Sequence, residues 1–150
     1  MCHSRHWQRL QRLGAVQVLP GPLADDEAWA AGARFHALID CIGSDHAARL
    51  APALRANGHL LCIQGRLAAW PNPPFGRALS LHEVALGALH QHGDDVDWVR
   101  LVAAGERLLQ AAAEGQLQTE ALVIGEFETL PERLADLRQR NFSGKPVILF

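Results

Sequence analysis

The chain has 150 residues, 49% hydrophobic and 20% charged, which is enough for one globular core and unlike a collagen-like or disordered composition. Its net charge of -2 argues against a nucleic-acid or anionic-membrane partner, since either favours a basic surface. No apolar run approaches the roughly 20 residues that cross a bilayer, and the residues after Met1 are polar and basic rather than an apolar signal core, so no membrane contact and a cytoplasmic location are expected.

From the amino terminus, Met1 to Ser4 looks like the tail of a strand, and HWQRLQRLGA reads as a short helix with Trp7, Leu10 and Leu13 on one face and Gly14 at its end. Val16 to Leu19 reads as a strand, Pro20 to Pro22 as a turn, and Asp25 to Ala33 as a helix whose acidic first turn complements the helix dipole. The densest signal follows in FHALIDCIGSDHAARLAPALRANGHLLCIQG. His36 to Ile42 is an apolar, β-branched run broken by Gly43 and Ser44; Ala47, Leu50, Ala51 and Leu54 then recur at helical spacing. Ser44 is the expected helix N-cap, and Asn57 and Gly58 the expected left-handed close of that helix. His59 to Ile63 is a second strand, ending at Gln64 and Gly65. Cys41 and Cys62 fall inside these strands and are expected as buried free thiols, with Cys2 far from both.

Strands that are apolar on both faces belong to parallel sheets covered by helices. In such sheets a ligand sits beyond the carboxyl ends of the strands, where Gly43 and Gly65 stand.

RLAAWPNPPFGRA carries three prolines and reads as a surface loop. Leu79 to Leu89 reads as an edge strand running into a turn at His90 to Gly93. Asp94 then caps a helix through about Glu114, whose stripe of Trp98, Leu101, Val102, Leu108, Leu109 and Ala112 is expected to cover the sheet. Leu122 to Phe127 is a strand, Pro131 to Arg140 a helix with proline in its first turn, and Pro146 to Phe150 a last strand. Alternation of this kind marks an α/β, doubly wound domain. GxGxxG is absent, however, and no strand leads into a glycine-rich turn, so the expected fold is a partial Rossmann-type parallel sheet lacking its first strand and pyrophosphate turn.

Two chemistries are set aside on the residues. Zinc takes three or four clustered Cys or His ligands, and the chain offers no CxxC; His82, Glu83, His90 and His92 read as solvated polar residues, so no metal site is expected. There is no GxSxG elbow, and Ser4, Ser44, Ser80 and Ser143 each sit at a predicted cap or turn. No catalytic residue is assigned.

The runs RLGAVQVL, FHALIDCIG, LAPALRANGHLLCIQG and LPERLADLRQRNFSGKPVILF, in that order, are similar to the closing portion of the medium-chain dehydrogenase/reductases, the zinc-type alcohol dehydrogenase and quinone oxidoreductase superfamily. The resemblance implies a nucleotide-binding part over residues 1–119 and a return segment over 120–150 whose strands would join a GroES-like domain lying outside this chain. It further implies hydride transfer with a nicotinamide cofactor, to or from a carbonyl, alcohol or quinone, and inactivity of this part alone. In the family an acidic residue after the second strand selects NAD; Ser4, Arg5 and His6 stand there instead and favour NADP(H) over NAD(H), because a guanidinium fork suits a phosphate that a carboxylate would repel. Ile42, Gly43, Gln64 and Gly65 match positions where strand ends pass under the cofactor, and Asn141 falls near another cofactor contact. The family's zinc ligands would lie outside these residues. Relatives commonly dimerise through the segment matching residues 79–89, which as an edge strand is a ready template for pairing. The alternative is a non-catalytic nucleotide-binding or dimerisation module, or a decayed remnant.

Overall fold

A computed structural model describes residues 1–118, 120–139 and 144–149. They form α1 (Trp7–Arg12), β1 (Phe35–Asp40), α2 (Ser44–Leu50), β2 (Leu54–Cys62), β3 (Ser80–Glu83), α3 (Leu89–His92), α4 (Asp95–Ala113), β4 (Leu122–Glu126), α5 (Leu130–Arg138) and β5 (Lys145–Leu149). Short 3-10 turns interleave at Ser4–His6, Ala51–Ala53, Leu86–Ala88 and Phe127–Thr129. The molecule is mixed α/β and divides into two compact units, Met1–Ala88 and Leu89–Phe150.

In the first unit β1, β2 and β3 make a parallel sheet in that order. Leu38↔Leu60, Asp40↔Cys62, Leu60↔Leu81 and Cys62↔Glu83 are in register, and the pleat sends Leu60 and Cys62 to the face covered by α2. Ala47, Ala51, Leu54, Leu60, Cys62 and Leu79 form the core, with Leu38, Leu67 and Leu81 packed against it. Small residues on α2 let the helix approach the sheet closely: Ala47 is fully buried, and Leu54 and Leu60 with it. The expectation of strands buried on both faces is corrected, because on the opposite face Ile39 is 63% exposed and Ile63 43%.

The helix after β1 ends earlier than its spacing implies. Pro52 has no N–H to continue the ladder, so α2 stops at Leu50, tightens into the 3-10 turn and enters β2 at Leu54. Asn57 and Gly58 therefore do not close a helix; they lie in an irregularity of β2, where β1 advances from Phe35 to Ala37 while β2 advances from Leu54 to His59. Asn57 takes the left-handed conformation (φ 59°), and its N–H donates to the Arg77 carbonyl at 2.8 Å. From the proline-rich loop, Arg77 Nη1 donates to the carbonyls of Pro52 (2.8 Å), Leu54 (3.3 Å) and Ala51 (3.5 Å), supplying partners where the helix ends.

Two expected elements do not form. Val16 to Leu19 is not a strand: Val16 is fully exposed, and Leu19 gives its carbonyl to the Cys2 N–H at 3.1 Å instead of to a neighbouring strand. Asp25 to Ala33 makes a turn, Glu27 N–H to Ala24 carbonyl, and then departs from helix because its backbone is used elsewhere. Trp29 N–H donates to the Arg49 carbonyl in the last turn of α2, Arg34 N–H to the Ala53 carbonyl, and the Trp29 ring packs edge-on to Phe35 at 5.7 Å. Met1 to Ser4 is not strand either, since Ser4 opens the first 3-10 turn. Cys41 lies one residue past the end of β1 and is exposed, unlike the buried Cys62.

The second unit holds α3, α4, α5 and the parallel pair β4–β5, in register from Leu122↔Lys145 to Glu126↔Leu149. Asp94 caps α4 as expected: its side chain accepts from Asp97 N–H at 2.9 Å while Asp97 reaches back to the Asp94 N–H at 3.4 Å. The expected turn at His90 to Gly93 is instead largely the short helix α3, and His90 packs edge-on to Trp98 at 5.0 Å. No residue of α4 is buried; of its stripe Val102, Leu108 and Leu109 are exposed, as are Val96 and Val99 elsewhere on the helix.

Candidate functional site

β1 and β2 end side by side, Asp40 opposite Cys62, and the ladder runs one step further through Ile63 N–H to the Asp40 carbonyl at 2.9 Å. The expected site residues Ile42, Gly43, Gln64 and Gly65 follow directly on these two paired ends. The two turns meet there: a Cβ on Gly65 would lie 3.9 Å from the Ser44 amide, and one on Gly43 would meet nothing within 4 Å. Gly65 has φ +127°, where side chains are rarely tolerated, so glycine is required there by conformation, although the space itself would admit a Cβ.

The turn after β1 is held by two residues that did not stand out in the sequence. Asp40, 2% exposed, accepts at Oδ1 from the Ile42 N–H (3.0 Å) and the Gly43 N–H (2.9 Å), and its Oδ2 pairs with Nδ1 of His46, which is 6% exposed. His46 Nε2 accepts the Leu23 N–H at 3.2 Å. That nitrogen therefore carries no proton, so Nδ1 does, and a neutral imidazole donates to an ionised carboxylate. Ser44, the expected N-cap, makes no side-chain cap bond; Gly43 holds that place, and Asp40 satisfies the turn's amides from outside the helix. The available signal was a carboxylate ending an apolar run, with a histidine six residues on at an inward helix position.

This latch sets what the turn can do. Asp40 has already taken the Ile42 and Gly43 amides, so the turn is not a nest of anion-binding donors; it presents Gly43, which has no Cβ, beside the exposed Ile42 side chain. With both carboxylate oxygens and both imidazole nitrogens engaged, the pair is a structural tie between loop, strand and helix.

Beyond the ends of β2 and β3 a cavity of about 380 Å³ is lined by Cys62, Arg66, Leu67, Trp70, His82 and Glu83 among others. Its lining mixes apolar side chains with both charges, Arg66 and Glu83, and Trp70 is 59% exposed. Burial, reinforced by the charges of Asp40 and Glu83, pushes the Cys62 thiol above its ordinary value and keeps it neutral.

The remaining expected residues lie elsewhere. Ser4, Arg5 and His6 form the amino-terminal 3-10 turn, where His3 Nδ1 accepts the Arg5 N–H (3.2 Å) and Arg5 Nε donates to His6 Nε2 (3.1 Å). Asn141 lies outside the described residues. Among the described residues no group of three or more His, Cys, Asp or Glu is placed to hold a metal ion, and no helix is long and apolar enough to cross a membrane. Comparison with protein-family models and with curated proteins finds no match to this chain.

Proposed function

We propose that this chain is the carboxyl-terminal, cofactor-binding part of an NADP(H)-dependent oxidoreductase of the medium-chain dehydrogenase/reductase kind, transferring hydride to or from a carbonyl, alcohol or quinone and inactive alone. The observation that carries this reading is the meeting of two glycine turns at the carboxyl ends of adjacent parallel strands, beside a cavity lined by apolar and charged side chains. Parallel sheets bind nucleotides at such ends because only there do backbone turns open outward next to one another. The three parallel strands are on this reading the surviving side of a Rossmann-type sheet, and β4–β5 belongs to the segment that returns to the GroES-like domain.

The residues fit a dinucleotide at this edge. A ring or ribose lying over Gly43 and Gly65 meets no Cβ, and exposed Ile42 offers an apolar contact beside them. The nicotinamide, when bound, supplies the hydride-carrying carbon. Arg66 and Trp70, on the loop after Gly65, provide a guanidinium and an aromatic face at the cavity. Arg5, with Ser4 and His6, is assigned to the phosphate that distinguishes NADP(H). The second reading, a dimerisation module, rests on β3, which sits at the edge of the described sheet and carries exposed Val84 after it.

Ile42→Glu tests the placement. Ile42 is 57% exposed, so the substitution leaves the fold intact, while a carboxylate beside the glycine turns repels a dinucleotide phosphate. The expected result is NADPH affinity lowered about tenfold with an unchanged melting temperature. Equal affinity in wild type and variant would remove the glycine turns from the binding site.

A further inference from the structure

The parallel register places two histidines on the open face of the first unit's sheet. His59 pairs opposite Ser80 and Leu61 opposite His82, so His59 and His82 are diagonal neighbours on adjacent strands. Both are exposed, and their rings face each other at 5.3 Å between centroids and 32° between planes, with His59 Nδ1 3.1 Å from His82 Nε2. The sheet residues around them on this face are Ala37, Ile39, Leu61 and Ser80, none of them charged.

We propose that His59 and His82 chelate a divalent transition-metal ion of the zinc class, with water completing its coordination. Imidazole nitrogens bind zinc at about 2.0–2.1 Å, so two nitrogens in neighbouring coordination positions stand about 2.9 Å apart at a right angle and about 3.4 Å apart at the tetrahedral angle. The observed 3.1 Å falls inside that bite. The hydrogen bond between the rings also shows how the lone pairs become available. Whichever ring donates it, transfer of that proton to the same ring's other nitrogen leaves a lone pair on each facing nitrogen, with no proton lost to solvent. Imidazole pairs suit borderline ions, and a face without carboxylates gives no advantage to magnesium or calcium. The site is distinct from the three- or four-ligand zinc sites set aside on the sequence, and it is independent of the nucleotide assignment. Because His82 also lines the cavity beyond β3, a cation held here stands at the edge of that cavity.

The test is calorimetric titration of the whole chain with zinc chloride, in parallel with His59→Ala, His82→Gln and a His90→Ala/His92→Ala control. Wild type and control are expected to show the same saturable one-site isotherm, weakened about tenfold or more in each of the other two variants. Imidazole proton resonances provide the second readout, with those of His59 and His82 shifting first as zinc is added. Both substituted side chains are solvent-exposed, and circular dichroism verifies that the variants keep their fold. No saturable binding below about 1 mM zinc, or isotherms unchanged by both substitutions, would overturn the proposal.

Discussion

A single carboxylate shapes the end of β1. Asp40 is buried, yet it holds two backbone amides and one imidazole, and the same imidazole holds Leu23 in the preceding loop. Removing it leaves the buried His46 Nδ1–H and the part-buried Ile42 and Gly43 N–H groups without this partner, so Asp40→Ala is expected to destabilise the first unit by about 2–3 kcal/mol in urea unfolding. A loss below about 0.5 kcal/mol would mean that the network carries no net stability. The cysteines make a second contrast at this scale. Cys41 is exposed while Cys62 is buried with its thiol pushed up, so mass spectrometry after mild iodoacetamide treatment is expected to find Cys41 modified and Cys62 spared until the chain is unfolded. Equal labelling of both in the native protein would contradict the burial of Cys62.

Elements whose pattern is set by local apolar runs and caps were legible in the sequence: β1, the amino half of α2, the second half of β2, α4 with its Asp94 cap, β4, α5 and β5. Those decided by distant backbone partners were not. Asp25 to Ala33 has helical composition, but Trp29 and Arg34 spend their N–H groups on the carbonyls of Arg49 and Ala53. Asn57–Gly58 has the composition of a helix end, but Pro52 has already stopped the helix, and the pair instead bends β2. Of the candidate site, the glycines Gly43 and Gly65 could be read from their place after apolar runs, whereas the Asp40–His46–Leu23 tie depends on a contact 23 residues apart. Arg77 belongs with these long-range partners. Its guanidinium serves three carbonyls at the junction of α2 and β2, so Arg77→Ala is expected to cost about 1–2 kcal/mol in chemical denaturation. A neutral outcome would show that water replaces all three bonds.

At the scale of the whole molecule, α2 covers one face of the first unit's parallel sheet and leaves Ile39 and Ile63 of the other exposed, while in the second unit α4 carries an apolar stripe with no buried member. Exposed apolar surfaces of this kind are places where another surface can pack. The central claim is that the carboxyl edge of the β1–β2–β3 sheet binds a nicotinamide dinucleotide and that the Ser4–His6 turn reads its extra phosphate. The most direct test is titration of the purified chain with NADPH and, in parallel, NADH, followed by nicotinamide fluorescence. The account predicts saturable binding with NADPH preferred about tenfold, and loss of that preference on Arg5→Glu. Absence of saturable binding to either cofactor, or equal binding of both, would contradict it.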